Sequence, residues 1–234
     1  MQLQLGRKLC VVISSSSLAK QVLKDHDAIF ANRDPTVAAI ADTYGGIDIL
    51  WSPSHDPEWC KLRKIFVQEM ISKPSLDACY ALRRQEVRKM VKDVYSKVGS
   101  SINIGEQTFI TILNVIMSMS WGSSLNGEDR SRVGIQFRQV VDEFIELWGA
   151  PNISDLFPVL ARFDLQGIES KMKKLSSWFD MIFKSVIDSR TKDQQAGGEK
   201  KEEEKGRNND FLQILLDDKT SLSMNQVKAL LLVH

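Results

Sequence analysis

Cysteine is scarce in this chain, and what there is lies apart. Cys10, Cys60 and Cys79 make an odd count at wide spacing in 234 residues, which argues against a disulfide framework and for a reducing compartment. His26, His55 and His234 are also far apart, and no C-x-x-C or Cys/His cluster occurs. A zinc site has no ligand set here. Neither sign of charge dominates: 31 Lys and Arg face 30 Asp and Glu, with no basic block free of interleaved acids. That excludes the electrostatic footprint of a nucleic-acid binder. Long apolar runs are missing as well. None reaches the roughly 18 to 20 residues of a membrane span, and the opening from Met1 to Lys8 holds no apolar signal core. The chain is therefore expected to carry no membrane anchor of its own.

What is present is ordinary globular material, 43% hydrophobic and 26% charged, enough for one or two cores. Leu9 to Ile13 is a short β-branched run between Gly6 and a serine cluster and predicts a strand. Ser14 to Ser17 supplies N-caps for a helix through Leu18, Val22 and Leu23. Between Pro35 and Pro53 the chain is apolar but broken by glycines, which predicts a loop with a short helix, lining a pocket or merely capping the core. Long amphipathic helices follow. Pro74 sits in a first turn after Ser72, and Leu76, Tyr80, Val87, Met90, Val94 and Val98 keep helical period. Phe109 to Trp121 is apolar on nearly every side and reads as a helix buried in a bundle. Val133, Phe137, Val140, Val141, Phe144 and Trp148 form the next stripe, stopped at Gly149-Ala150-Pro151. Ile168, Met172, Leu175, Phe179, Ile182 and Val186 form another.

Residues 189–209 change character. Alternating Lys and Glu among Gly, Gln and Asn cannot bury a core, so this stretch is predicted to be a charged, mobile linker inside one partial domain. Asp210 opens a short helix through Phe211, Leu212, Leu215 and Leu216. Ser223-Met224-Asn225-Gln226 has the form of a capping box and starts a last apolar helix.

The stretch from Asp56 to Phe66 carries the most pointed chemistry. Trp59 and Arg63 stand four residues apart, so on a helix the indole N–H and the guanidinium share a face. Together they suit a carboxylate, since the guanidinium pairs with it through two charge-assisted bonds and the indole adds one donor. The plainer alternative is a core Trp with Arg stacked on it.

The ordered series Leu18 to Asp25, Ile29 to Arg33, Tyr44 to Ile49, Trp59 to Ile65, Asp210 to Leu212 and Gln226 to Leu231 resembles the amino-terminal half of a plant microsomal cytochrome P-450. The resemblance covers essentially the whole chain. It implies a mainly α fold with a short β element near the N-terminus, ending within the family's long central helix. It also implies haem as cofactor, a small apolar substrate hydroxylated with O2, electrons from an NADPH-dependent reductase, and a place on the cytoplasmic face of the endoplasmic reticulum membrane. Within the family the W-x-x-x-R helix holds a haem propionate, a role that falls here on Trp59 and Arg63. By position, Ile49, Leu50, Leu147 and Trp148 would line the substrate pocket.

Two departures from the family pattern stand out. A Tyr-Gly pair usual before the W-x-x-x-R helix is replaced by Ser54-His55-Asp56, with one extra position, which would shift the start of the helix. More consequential, the oxygen-activating acid-Thr pair, the E-x-x-R helix and the F-x-x-G-x-R-x-C-x-G loop with its axial cysteine do not occur in these 234 residues. Cys60 lacks that glycine-flanked loop and reads as a helix side chain. Glu204 to Arg207 fits E-x-x-R, and Ala196 to Glu199 faintly matches the oxygen-activating motif, but both fall in the charged linker. The expectation is thus a chain with no catalytic residue and no metal ligand of its own, inactive alone. The alternatives are a non-catalytic helical protein binding a partner or small ligand, and a truncated gene product without function.

Overall fold

The computed structural model describes residues 1–44, 46, 48–122, 127–195, 210–216 and 222–233. Two short strands, β1 (Gln2–Leu5) and β2 (Lys8–Val11), form an antiparallel hairpin with Leu3 opposite Cys10. The predicted strand over Leu9 to Ile13 thus lies two residues earlier at its end, and its partner β1 was not anticipated. Alternating Gln and Leu in so short a stretch is a weak strand signal, and only pairing makes it one.

Gly6 opens the two-residue turn at φ +59°, the kind of position where a hairpin demands glycine. A second constraint acts there. A Cβ on Gly6 would lie 2.3 Å from the carbonyl oxygen of Leu156, and the neighbouring Arg7 N–H donates to that same oxygen at 2.9 Å. The hairpin is mostly exposed, so this seam is a main tether. Gly6→Ala is expected to release the hairpin at a cost of roughly 1–3 kcal/mol. Faster amide exchange across β1 and β2, with the helical core unchanged, is the measurement; equal protection would refute it.

The helices follow in chain order. First come α1 (Ser16–Lys20), running on into a π turn (Gln21–Asp25), α2 (Asp27–Phe30) and α3 (Val37–Asp42). Next are α4 (Pro57–Ile65), continued by a π turn (Phe66–Met70), and then α5 (Lys73–Ala78) and α6 (Tyr80–Ser96). The long helices α7 (Ile104–Trp121) and α8 (Gly127–Gly149) lead to the short α9 (Ile153–Leu156) and a 3-10 turn (Pro158–Phe163). Last are α10 (Ile168–Gln195), α11 (Phe211–Leu216) and α12 (Met224–Leu232). The capping box at Ser223 and Gln226 is formed.

α10 runs to Gln195, past the predicted linker start at 189. Residues 189 to 195 hold Arg, Lys and Gln, good helix formers, with neither Gly nor Pro, so nothing local stops the helix. The remainder of that stretch, including the two chance motif matches, lies outside the described residues.

One core joins α7, α8, α10, α11, α12 and the π turn after α4. Met172, Leu212 and Leu230 are completely buried within it. Aromatic edges interlock through it, with Phe66 edge-on to Phe211 at 6.1 Å and Phe144 edge-on to Phe179 at 5.3 Å. α7 is buried along most of its length, although Ile112 faces outward. The apolar stripe of α6 is less covered than its pattern implies: Tyr80 and Val87 are exposed, as is Val98 in the turn beyond the helix, while Glu86 is buried beside Lys89 at 2.6 Å. No helix among the described residues is long and apolar enough to cross a membrane.

Candidate functional site

α4 begins where its sequence says it should. Asp56 caps it by accepting from the Glu58 N–H at 2.8 Å, and Pro57 occupies the first turn, where no amide hydrogen is needed. The unusual Ser54-His55-Asp56 approach is pinned from outside: the Asn32 Oδ1 accepts from both the N–H and the hydroxyl of Ser54, at 2.9 and 2.8 Å. Leu62, 1% exposed, and Met70 anchor the inner face of the helix and its continuation.

That anchoring sets Trp59 and Arg63 side by side, as their spacing dictates. The Arg63 guanidinium lies 5.2 Å from the centroid of the Trp59 ring, a stacked cation–π contact. Trp59 is half-buried and Arg63 exposed. The single indole N–H donates to the Ile49 carbonyl oxygen at 3.0 Å. Arg63 has no hydrogen-bonded acceptor among the described residues, so its donor fork fits an incoming carboxylate as it stands. Trp59 fits one only by giving up Ile49. Cys60, on the same helix, is exposed and lies 3.7 Å from the Ser54 carbonyl oxygen.

Of the four residues placed at a pocket by position, two meet there. Leu50 and Trp148 line a small cavity of about 10 Å³ together with Asp42, Thr43, Tyr44, Asp48 and residues of α12. That is room for a single water. Ile49 and Leu147 are buried in the core cluster instead. Trp148 stands edge-on to Trp51, ring centroids 5.9 Å apart.

The floor of this cavity is acidic, which the sequence reading missed. Asp42 is buried on α3, where Ser176 Oγ of α10 donates to its Oδ1 at 2.9 Å. Burial pushes its pKa up to about 7; the Ser176 hydrogen bond opposes this and the neighbouring Asp48 charge adds to it. Burial also raises Asp48, against the pull of the Leu50 and Trp51 amides and the Arg33 guanidinium. Tyr44 is raised by burial and then by the charges of Asp180 and Asp42. Lys228 of α12 pairs with Asp180 at 2.6 Å and sits 5.7 Å from the Tyr44 ring. One signal was available: Asp42 falls four residues after Ala38, on the apolar face of a short helix. Among the described residues no three His, Cys, Asp or Glu side chains are grouped to hold a metal ion.

The chain as a whole is similar to known proteins. The family model described as Cytochrome P450 matches residues 1–233. Carnosic acid synthase of Salvia pomifera is 31% identical over 239 residues, 98% of this chain and 46% of that protein. Cytochrome P450 93A3 of Glycine max is 34% identical over 240 residues, 97% of this chain and 46% of that protein. Among solved structures, a zebra fish cytochrome P450 with progesterone superposes with a TM-score of 0.68 at 19% identity, over 99% of this chain and 50% of that one. The chain spans about half the length of these relatives. The match runs from the hairpin to α12, and on it the chain belongs to the cytochrome P450 family as an amino-terminal portion of that fold.

Proposed function

We propose that this chain is the amino-terminal half of a haem-dependent monooxygenase that hydroxylates a small apolar substrate, with Arg63 and Trp59 taking a haem propionate. The observation that carries the reading is Arg63, exposed on a well-anchored helix beside Trp59 and with no acceptor among the described residues, in a chain matched by the family model throughout. Haem, when bound, supplies oxygen activation with electrons from an NADPH-dependent reductase. The chain's own residues have narrower tasks. Arg63 binds and orients a carboxylate through a charge-assisted pair. Trp59 offers that carboxylate an apolar wall and, if released from Ile49, a second donor. Leu50 and Trp148 would wall the substrate side and exclude water. The site would sit at the cytoplasmic face of the endoplasmic reticulum, and the relatives named carnosic acid synthase favour a role in plant secondary metabolism.

None of the three cysteines has the surroundings of an axial ligand: Cys60 is an exposed helix residue, while Cys10 and Cys79 are half-buried, and burial raises the Cys79 thiol. This polypeptide, expressed as it is and supplied with haem, is expected to show no thiolate-type Soret band when reduced under carbon monoxide. Such a band would overturn that assignment. A second reading, a non-catalytic partner-binding protein, draws on the exposed apolar face of α6, where Tyr80, Val87, Val91 and Tyr95 meet solvent.

A further inference from the structure

The indole of Trp59 has one N–H, and two acceptors compete for it. One is the Ile49 carbonyl oxygen, which holds it now at 3.0 Å. The other is the carboxylate that Arg63, on the same helix face, is placed to receive. One hydrogen cannot serve both at full strength. We infer that Trp59 is an exchangeable latch that ties the Asp48–Ser52 loop to α4 until a carboxylate takes the indole, so that filling the Arg63 site loosens the wall of the neighbouring cavity. The carboxylate half of this inference rests on the haem reading above; the latch half rests on the hydrogen bonds alone.

The loop is built to feel the loss. Its backbone is turned by Asp48, whose carboxylate accepts from the Leu50 N–H at 2.5 Å and the Trp51 N–H at 3.2 Å. Arg33 Nη1 donates to the Leu50 carbonyl oxygen at 2.6 Å, and Ser52 Oγ donates to the Gly46 carbonyl oxygen at 2.8 Å. These bonds hold the loop to itself, to Arg33 before α3 and to Gly46 after it. The Trp59–Ile49 bond runs instead from the loop to α4. Ile49 itself is buried in the core and Trp51 packs on Trp148, so release means loosening in place, with Leu50 moving at the cavity wall and Trp51 against Trp148. The loop and the carboxylate site thereby communicate through one side chain, across only the width of an indole ring.

The test uses the whole chain, labelled for amide and indole exchange by NMR. Trp59→Phe keeps the ring that carries Arg63 and removes only the N–H. Loss of one such bond is expected to speed exchange at the Leu50 and Trp51 amides by roughly 5- to 10-fold, with the Met172 region of α10 unaltered. Unchanged Leu50 and Trp51 exchange in this variant overturns the latch. In the unmutated chain, zinc protoporphyrin IX is expected to shift the Trp59 indole resonance and speed the same two amides, whereas its dimethyl ester, which has no carboxylate, should do neither. If the free acid leaves the Trp59 resonance in place, the carboxylate's claim fails, and with it the haem-propionate reading. The latch seen in Trp59→Phe is judged separately.

Discussion

Asp210→Ala should lower the unfolding free energy by about 3 kcal/mol or more, the scale for removing one partner of a buried ion pair. Arg190 Nη2 donates to Asp210 Oδ2 at 2.7 Å and to the Trp121 carbonyl oxygen at 2.9 Å. The two side chains are only 18% and 4% exposed. Arg190 near the end of α10 therefore covers the carbonyl end of α7, where a cation also suits the helix dipole, and grips the residue that opens α11. Asp210 in turn accepts from the Gln213 N–H at 2.8 Å, capping that helix. Gly122 makes the approach feasible: its φ is +73°, and a Cβ there would come within 2.7 Å of Asp210 Oδ2. Removing the carboxylate strands a half-desolvated guanidinium and uncaps α11 together. Urea unfolding followed by circular dichroism measures it, and a loss under 1 kcal/mol would sink the assignment. Asp210→Asn, which can still cap, should recover part of the loss but not the charge pairing.

The second large effect is a dependence on pH carried by Asp42. Its folded pKa of about 7 lies above the ordinary value of 3.8, so the folded chain binds this proton more tightly than the unfolded one. Stability from this group is therefore fully present below about pH 4 and is lost as pH rises toward and through 7. The whole span corresponds to roughly 4 kcal/mol for a single group. Asp48, raised by the same burial, acts in the same direction. Asp42→Asn keeps an oxygen for the Ser176 hydroxyl and removes the ionisation. It should match the parent chain near pH 4 and exceed it by a few kcal/mol at pH 8. The readout is the urea midpoint of both proteins across that range. Parallel curves would show that Asp42 ionises in the folded chain as freely as in water.

Helix existence was largely legible because a 3.6-residue period is a local property. The stripes of α8 and α10 mark their buried faces by spacing alone, and Phe144, Met172 and Phe179 are in the core. Boundaries were less legible. The end of α10 depends on where helix-forming residues stop rather than on where charge begins, and β1 exists only through its pairing with β2. At the site, the neighbourhood of Trp59 and Arg63 was legible from four-residue spacing. The partition of the four pocket candidates was not, because Ile49 and Leu50 are adjacent in sequence yet one enters the core and the other faces the cavity.

The sequence by itself determined the family, the order of the helices and the helix that carries Trp59 and Arg63, since each is written in short-range pattern. It also determined that no axial-cysteine loop lies in these residues. Only the tertiary structure decided what the functional atoms do. The Trp59 N–H meets an acceptor 10 residues away, and Asp42 meets a hydroxyl 134 residues away. No local pattern specifies such partners, because they are brought together by packing of helices onto a shared core, and it is that packing which removes water and shifts the carboxyl.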